Sequence, residues 1–353
     1  MDGGKTFRES AAGAGGACIN SWWQPNVNNP DLWLIPIQDF VGAVTTDGAE
    51  TFTSLMDLNL NIPLHTHSYG GYAASDNVWF LCSRRKWEDA IEGTDQSTVG
   101  TSDLLITFDG GKTWENKGRI VTSGYMYNRC GQSKRNPDIL YAGNVRSADG
   151  GHTWKEMDSR ILCIMDLSAD GKTMFALGKD GYSCYVSYND GADWELYFIA
   201  PRNPGMQYDG IQYVLDYNDG DEGVYFGMCG MIYRYKDGTF ERLEMPEAAA
   251  DMWWWSYAID PIHPSVMYAA GYPSNASQFK TYAHKNSVFR TCDYGKTWQV
   301  ISNTSACDTV APQGVVFGRH ITKSMFVHPK TGYVYVSTAN QGLYKFAPPY
   351  VTE

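Results

Sequence analysis

Apolar residues in this chain fall into short runs that mostly alternate with polar ones, and Gly, Asp, Asn, Ser or Pro separates nearly every pair. "ILCIMDL" is followed by "SADGKT" and then "MFALG"; "YAID" by "PIHPS" and "VMYAAG"; "SMFV" by "HPKTG" and "YVYVST". A period of two broken by turn residues predicts short antiparallel strands, and helical periodicity is almost absent. A third strand such as "LLIT" or "SVFRT" comes next, then a polar corner and a short fourth strand such as "ELYFIA" or "QVIS". The corner returns at Asp2, Asp47, Asp109, Asp149, Asn189, Asp237 and Asp293, twice at intervals of forty residues. Repetition of four short strands at this period predicts an all-β chain, one seven-bladed β-propeller over residues 1–353.

The corner reads Ser/Thr-x-Asp-x-Gly-x-Thr-Trp, most clearly in "TFDGGKTW", "SADGGHTW" and "TCDYGKTW". Each residue has a physical task there. Asp accepts backbone N–H groups of its own loop, and Gly takes positive φ without a Cβ clash. Thr adds a local hydrogen bond, and Trp or Phe carries apolar area into the gap between blades. "SYNDGADW" departs at Asp and Thr, and "TTDGAETF" at Gly and Trp. The last segment, "MFVHPKTGYVYVSTANQGLYKF", offers three strands. Lys5–Ser10 ("KTFRES") is expected to supply the fourth, so that both chain ends share a sheet and no edge stays open.

The formal net charge of −11 and the lack of a basic stripe argue against nucleic acid as a partner. No apolar run is long enough for a membrane-spanning helix. The 8 cysteines show no CxxC or zinc spacing, and most sit within apolar runs as small hydrophobes. No metal or other cofactor is expected.

These repeats resemble the Asp-box, or bacterial neuraminidase, repeat through nearly the whole chain. The resemblance implies a propeller and leaves function open among sialidases, xyloglucan-degrading hydrolases, polysaccharide lyases and receptor-like or assembly propellers. The sialidase Arg-Ile-Pro signature is absent, and Arg84, Arg202 and Arg319 lie in no framework that marks an arginine triad. "WLIPIQDFVGAVTTDGAETF" is similar to the xyloglucanase type, in which an Asp in the loop between second and third strands is catalytic. That match implies Asp39 as general acid or base. An inverting hydrolase places a second carboxylate across the sugar, with Asp57, Asp209, Asp251 and Asp308 as the ligand-face candidates.

A second constellation is "LHTHSYGGY". If it begins a strand, His65, His67 and Tyr69 share one side, with Arg84, Arg85 and Lys86 entering from the next loop. That set would suit a uronate lyase, in which His or Tyr takes the proton α to a carboxylate and a cation holds the developing charge. Trp87, Trp253 and Trp254 either stack on sugars from loops or, in "MWWWSY", begin an inner strand. The expected partner is a polysaccharide or oligosaccharide, bound with help from Arg84, Arg85, Trp87, Trp253, Trp254 and Arg319. A secreted or cell-surface location follows from that partner, and a further domain upstream is compatible with it. The readings carried forward are a glycoside hydrolase, a uronate lyase, and a non-catalytic glycan- or protein-binding propeller.

Overall fold

The computed structural model describes residues 23–37, 41–55, 67–84, 101–123, 128–167, 170–202, 210–216, 223–228, 231–246, 252–273, 288–301, 321–338 and 342–350. These residues form seven antiparallel sheets and no helix, the seven-bladed propeller expected from the repeats. Blade 1 holds Trp33–Pro36, Gly42–Thr45 and Thr53–Ser54, with Pro25 bridged to Trp33 on its inner side. Blade 2 holds His67–Ala73, Trp79–Arg84, Asp103–Thr107 and Glu115–Asn116. Blade 3 holds Cys130–Gln132, Leu140–Ala142, Val145–Ser147 and Lys155–Glu156. Blade 4 holds Ile161–Leu167, Met174–Gly178, Ser183–Ser187 and Glu195–Ile199. Blade 5 holds Ile211–Asp216, Val224–Met228, Met231–Lys236 and Thr239–Arg242. Blade 6 holds Met252–Ile259, Met267–Pro273, Val288–Thr291 and Gln299–Val300. Blade 7 holds Ile321–Val327, Val334–Thr338 and Gly342–Phe346.

The apolar core is divided among the seams between neighbouring blades. Blades 1 and 2 share Leu34, Val44, Trp79 and Leu81; blades 4 and 5 share Phe175, Phe198 and Phe226; blades 6 and 7 share Tyr268, Val288, Val336 and Phe346. The seam that closes the circle joins blade 7 to blade 1 through Trp23, Trp33, Ile35, Tyr335 and Leu343. There the Trp33 ring meets Phe326 and Tyr335 edge-on, with centroids 4.9 and 4.7 Å apart. Asp31 lies within 3.0 Å of His328 Nε2 and 2.8 Å of Lys330 Nζ, and the Lys330 hydrogen bond holds its carboxyl below the usual range. The expected strand Lys5–Ser10 lies outside the described residues.

Buried Asn26 ties the inner strands together. Its side-chain amide donates to the carbonyls of Ala73 and Ala74 and to Gln132 Oε1, so one residue of blade 1 holds blades 2 and 3.

The corner turns repeat as the sequence implies. In the turn at Asp109, Thr113 donates its backbone N–H to Oδ1 at 2.9 Å and its hydroxyl to Oδ2 at 2.6 Å. Gly111 N–H reaches Thr107 Oγ1 at 3.0 Å, and Trp114 Nε1 donates to the Gly111 carbonyl at 3.1 Å. The same Thr-to-Asp pair of bonds recurs at Asp47, Asp149 and Asp293. The tryptophans then pack against neighbouring-blade seams, Trp114 between blades 1 and 2 and Trp154 between blades 2 and 3. The unit at Asp237 differs. Lys236 pairs directly with Thr239, and Asp237 (φ 48) and Gly238 (φ 80) form a two-residue hairpin turn.

Hydrogen bonds, led by the Thr113 hydroxyl at Asp109 and the Thr153 hydroxyl at Asp149, lower each carboxyl to about 2. A depressed carboxyl stabilises the fold above its unfolded value, about 4, and loses that contribution as pH falls through the folded value. The ring is therefore expected to lose stability between about pH 4 and 2, seen as a fall in denaturation midpoint followed by tryptophan fluorescence.

Blade 4 reverses the polarity of this bond. Asn189 Nδ2 donates to Asp193 Oδ2 at 2.8 Å, while Asn189 Oδ1 still accepts Asp193 N–H at 2.9 Å. The two departures from the repeat thus compensate one another. Asn189→Asp alone, which faces two carboxylates, is expected to cost about 1 kcal/mol in urea denaturation at neutral pH. Adding Asp193→Thr should restore the midpoint.

Candidate functional site at the mouth of the ring

Hairpin order places the turns between second and third strands, and the links between blades, on the face opposite the corner turns. On that face an interblade contact repeats. Ser68 N–H donates to the Ile37 carbonyl (3.4 Å), Ile164 N–H to Gly143 (3.3 Å) and Ile211 N–H to Gly181 (2.8 Å). In each case the turn of one blade lies against the first strand of the next. At these three seams the rim is held by backbone clasps, which no side-chain pattern announces.

The turn of blade 1 has two further properties. It is closed by Ile37 N–H on the Val41 carbonyl at 3.4 Å, and Val41 adopts φ 31. A buried β-branched residue at positive φ is strained, and such strain persists only where the surroundings over-determine it. Gly42 follows because a Cβ there would lie 2.7 Å from the Ile35 carbonyl. Asp39 falls between Ile37 and Val41 in the chain, itself outside the described residues.

Across the clasp begins the first strand of blade 2, where the register pairs His67 with Arg84. The expected alternation of His67 and Tyr69 is interrupted, because a register shift between Ser68 and Gly70 makes half-buried Tyr69 a bulge residue. Similar shifts occur between Ile161 and Cys163, Ile211 and Tyr213, and Trp254 and Ser256. Bulges re-aim side chains and bend strands, and they cluster at the rims of closed β structures. Trp253 and Trp254 belong to the inner strand of blade 6, paired with Tyr272 and Gly271, which decides between the two sequence readings of "MWWWSY".

Buried polar groups reinforce the face between blades 2 and 4. Asn128 accepts from Ser123 Oγ at 3.0 Å and donates to Ser102 Oγ at 2.7 Å. Asn144 exchanges hydrogen bonds with Thr122 at 2.8 and 2.9 Å. The buried Arg129 guanidinium donates to the carbonyl of Met165, another bulge residue. Asp103, 2% exposed, lies 3.5 Å from Arg119 Nε and 3.3 Å from Asn116 Nδ2. Sequence reasoning missed this network, and only the polar cluster in "TSGYMYNRC" hinted at it.

His65, Arg85, Trp87 and Arg319 lie outside the described residues, as do Asp57, Asp209, Asp251 and Asp308. His67 and Arg84 lie opposite one another in blade 2, and Trp253 and Trp254 lie in the inner strand of blade 6. Among the described residues no cluster of His, Cys, Asp and Glu is arranged to hold a metal, and no helix is long and apolar enough to cross a membrane. What the face brings together is the turn closed by Ile37 and Val41 and the His67–Arg84 pair, on either side of one clasp.

No protein-family profile and no curated protein sequence matches the chain. Solved structures do. The GH74 xyloglucanase from Xanthomonas campestris is similar at a TM-score of 0.61 and 15% identity, over 94% of this chain and 52% of that one. The GH74 enzyme of Niastella koreensis is similar at 0.61 and 15%, over 95% and 53%. YCF48 from Cyanidioschyzon merolae is similar at 0.54 and 14%, over 95% and 97%. What is shared is the propeller. The chain spans about half the length of the two GH74 enzymes and nearly all of YCF48.

Proposed function

We propose that this chain is a carbohydrate-active propeller that hydrolyses a polysaccharide or oligosaccharide at the mouth of its ring, with Asp39 as general acid or base. The observation that carries the reading is the strained Val41 closing the turn that begins at Ile37, clamped onto the blade carrying His67 and Arg84; Asp39 falls between Ile37 and Val41 in the sequence. Backbone strain of this kind collects where a side chain must be held for chemistry. The similarity to GH74 enzymes supports the same class of substrate. The second carboxylate would come from Asp57, Asp209, Asp251 or Asp308, at the separation that leaves room for a water. Arg84, Arg85, Arg319 and the loop tryptophan Trp87 would bind the glycan, with Trp253 and Trp254 set in the inner strand beside it. On this reading residues 1–353 are one propeller, alone or beside a further domain, working outside the cell.

A second reading, a propeller that binds without turnover, is favoured by the near full-length similarity to YCF48, which has also been solved bound to D1 peptide. Incubation with neutral β-glucans and with uronic polymers separates the readings. New reducing ends from a neutral glucan support the hydrolase. Ultraviolet absorbance of an unsaturated uronate would replace it with a lyase built on His65, His67 and Tyr69. Glycan retention without new ends or absorbance would leave the binding propeller.

A further inference from the structure

At the seam between blades 2 and 3, Cys82 Sγ and Cys130 Sγ lie 3.5 Å apart, both thiols in this structure. Both are buried, at 0% and 4% exposure, and they sit among Phe80, Leu104, Leu140 and Ala142. The approach is built into the backbone. Cys82 pairs in register with Gly70, and a Cβ on Gly70 would fall 1.7 Å from the carbonyl oxygen of Asn128, two residues before Cys130. Only a glycine lets the blade 2 strand come so near to the blade 3 chain. A disulfide has an S–S length of about 2.05 Å, so the sulfurs must close by only about 1.5 Å.

We propose that Cys82 and Cys130 are a cross-linking site, joined as an interblade disulfide when the chain folds in the presence of a small-molecule disulfide. In the exchange, the thiolate of one cysteine attacks the small disulfide, forming a mixed disulfide and releasing one small thiolate. The second cysteine's thiolate attacks the protein sulfur of that intermediate, forming the Cys82–Cys130 bond and releasing the second small thiolate. Two protein thiols are oxidised, one small disulfide is reduced to two thiols, and the two protons pass to the leaving thiolates. Because the seam buries both sulfurs, the mixed disulfide forms during folding while the sulfurs are still accessible, and the docking of blades 2 and 3 brings the second thiolate to it. The bond would then close a loop of some fifty residues that includes the third and fourth strands of blade 2.

The test refolds the full chain in oxidised and reduced glutathione, and in parallel in excess reductant. Free thiols are then alkylated under denaturing conditions and the peptides mapped by mass spectrometry. The expected result is a peptide pair joined through residues 82 and 130, lost on reduction, with a Tm about 4 °C higher in the oxidised form. Cys82→Ala should remove both the pair and the Tm difference, and Cys130→Ala provides the same control should that variant not fold. A chain that is folded by circular dichroism in the glutathione buffer yet alkylated at both positions would overturn the proposal. So would a map in which Cys82 or Cys130 is joined to another cysteine.

Discussion

Gly70→Ala is expected to destabilise the ring by at least about 3 kcal/mol, enough to remove most soluble protein at ordinary growth temperature. The added methyl would stand 1.7 Å from the Asn128 carbonyl oxygen and 3.2 Å from Asn128 Cβ. Neither atom belongs to a flexible chain end. Asn128 is buried, and its side chain is fixed between Ser102 and Ser123. Relief would have to come from the seam itself, where Phe80, Cys82, Leu104 and Leu140 are close-packed. A useful control is Gly118→Ala, where nothing lies within 4 Å and the strain of φ +92 alone acts. That change should cost only about 1 kcal/mol. Urea denaturation of the two variants measures the difference, and equal midpoints would contradict the close approach of the blades.

On the proposed hydrolysis, Asp39→Asn should lower kcat on a glycan substrate by a factor of about 10² to 10⁴, the usual contribution of a positioned acid or base. KM and the denaturation midpoint should hardly move, since the amide keeps the carboxylate's shape and the turn is fixed by Ile37, Val41 and the Ser68 clasp. The pH–rate profile should also lose the limb that Asp39 supplies. Full activity in this variant would remove Asp39 from the mechanism while leaving a glycan site elsewhere on the rim open. Loss of binding with unchanged turnover per bound glycan would make it a contact residue.

The blades were legible in the sequence because their causes are local. Alternation at period two, a Gly where φ turns positive and a Thr four residues after an Asp are all written within one unit. Asn189 and Asp193 look like two defects in one repeat, and only the structure shows them exchanging donor and acceptor roles. The rim was far less legible. The clasps are made by backbone N–H groups of Ser68, Ile164 and Ile211, and the side chains take no part in these bonds. The bulge at Tyr69 breaks the period that had grouped it with His67, since a register shift carries no sequence signature. Strain at Val41 depends on the closure of its turn, and nothing about a valine foretells it.

The division of the apolar core into radial seams has an evolutionary consequence. Among the described residues the core clusters lie at the seams, so exchanges far apart on the circumference should combine independently. Rim loops can be lengthened or replaced sheet by sheet while the rest keeps its shape. Deleting a whole sheet is another matter, because it strips the cover from two neighbours at once and leaves an open arc with apolar flanks.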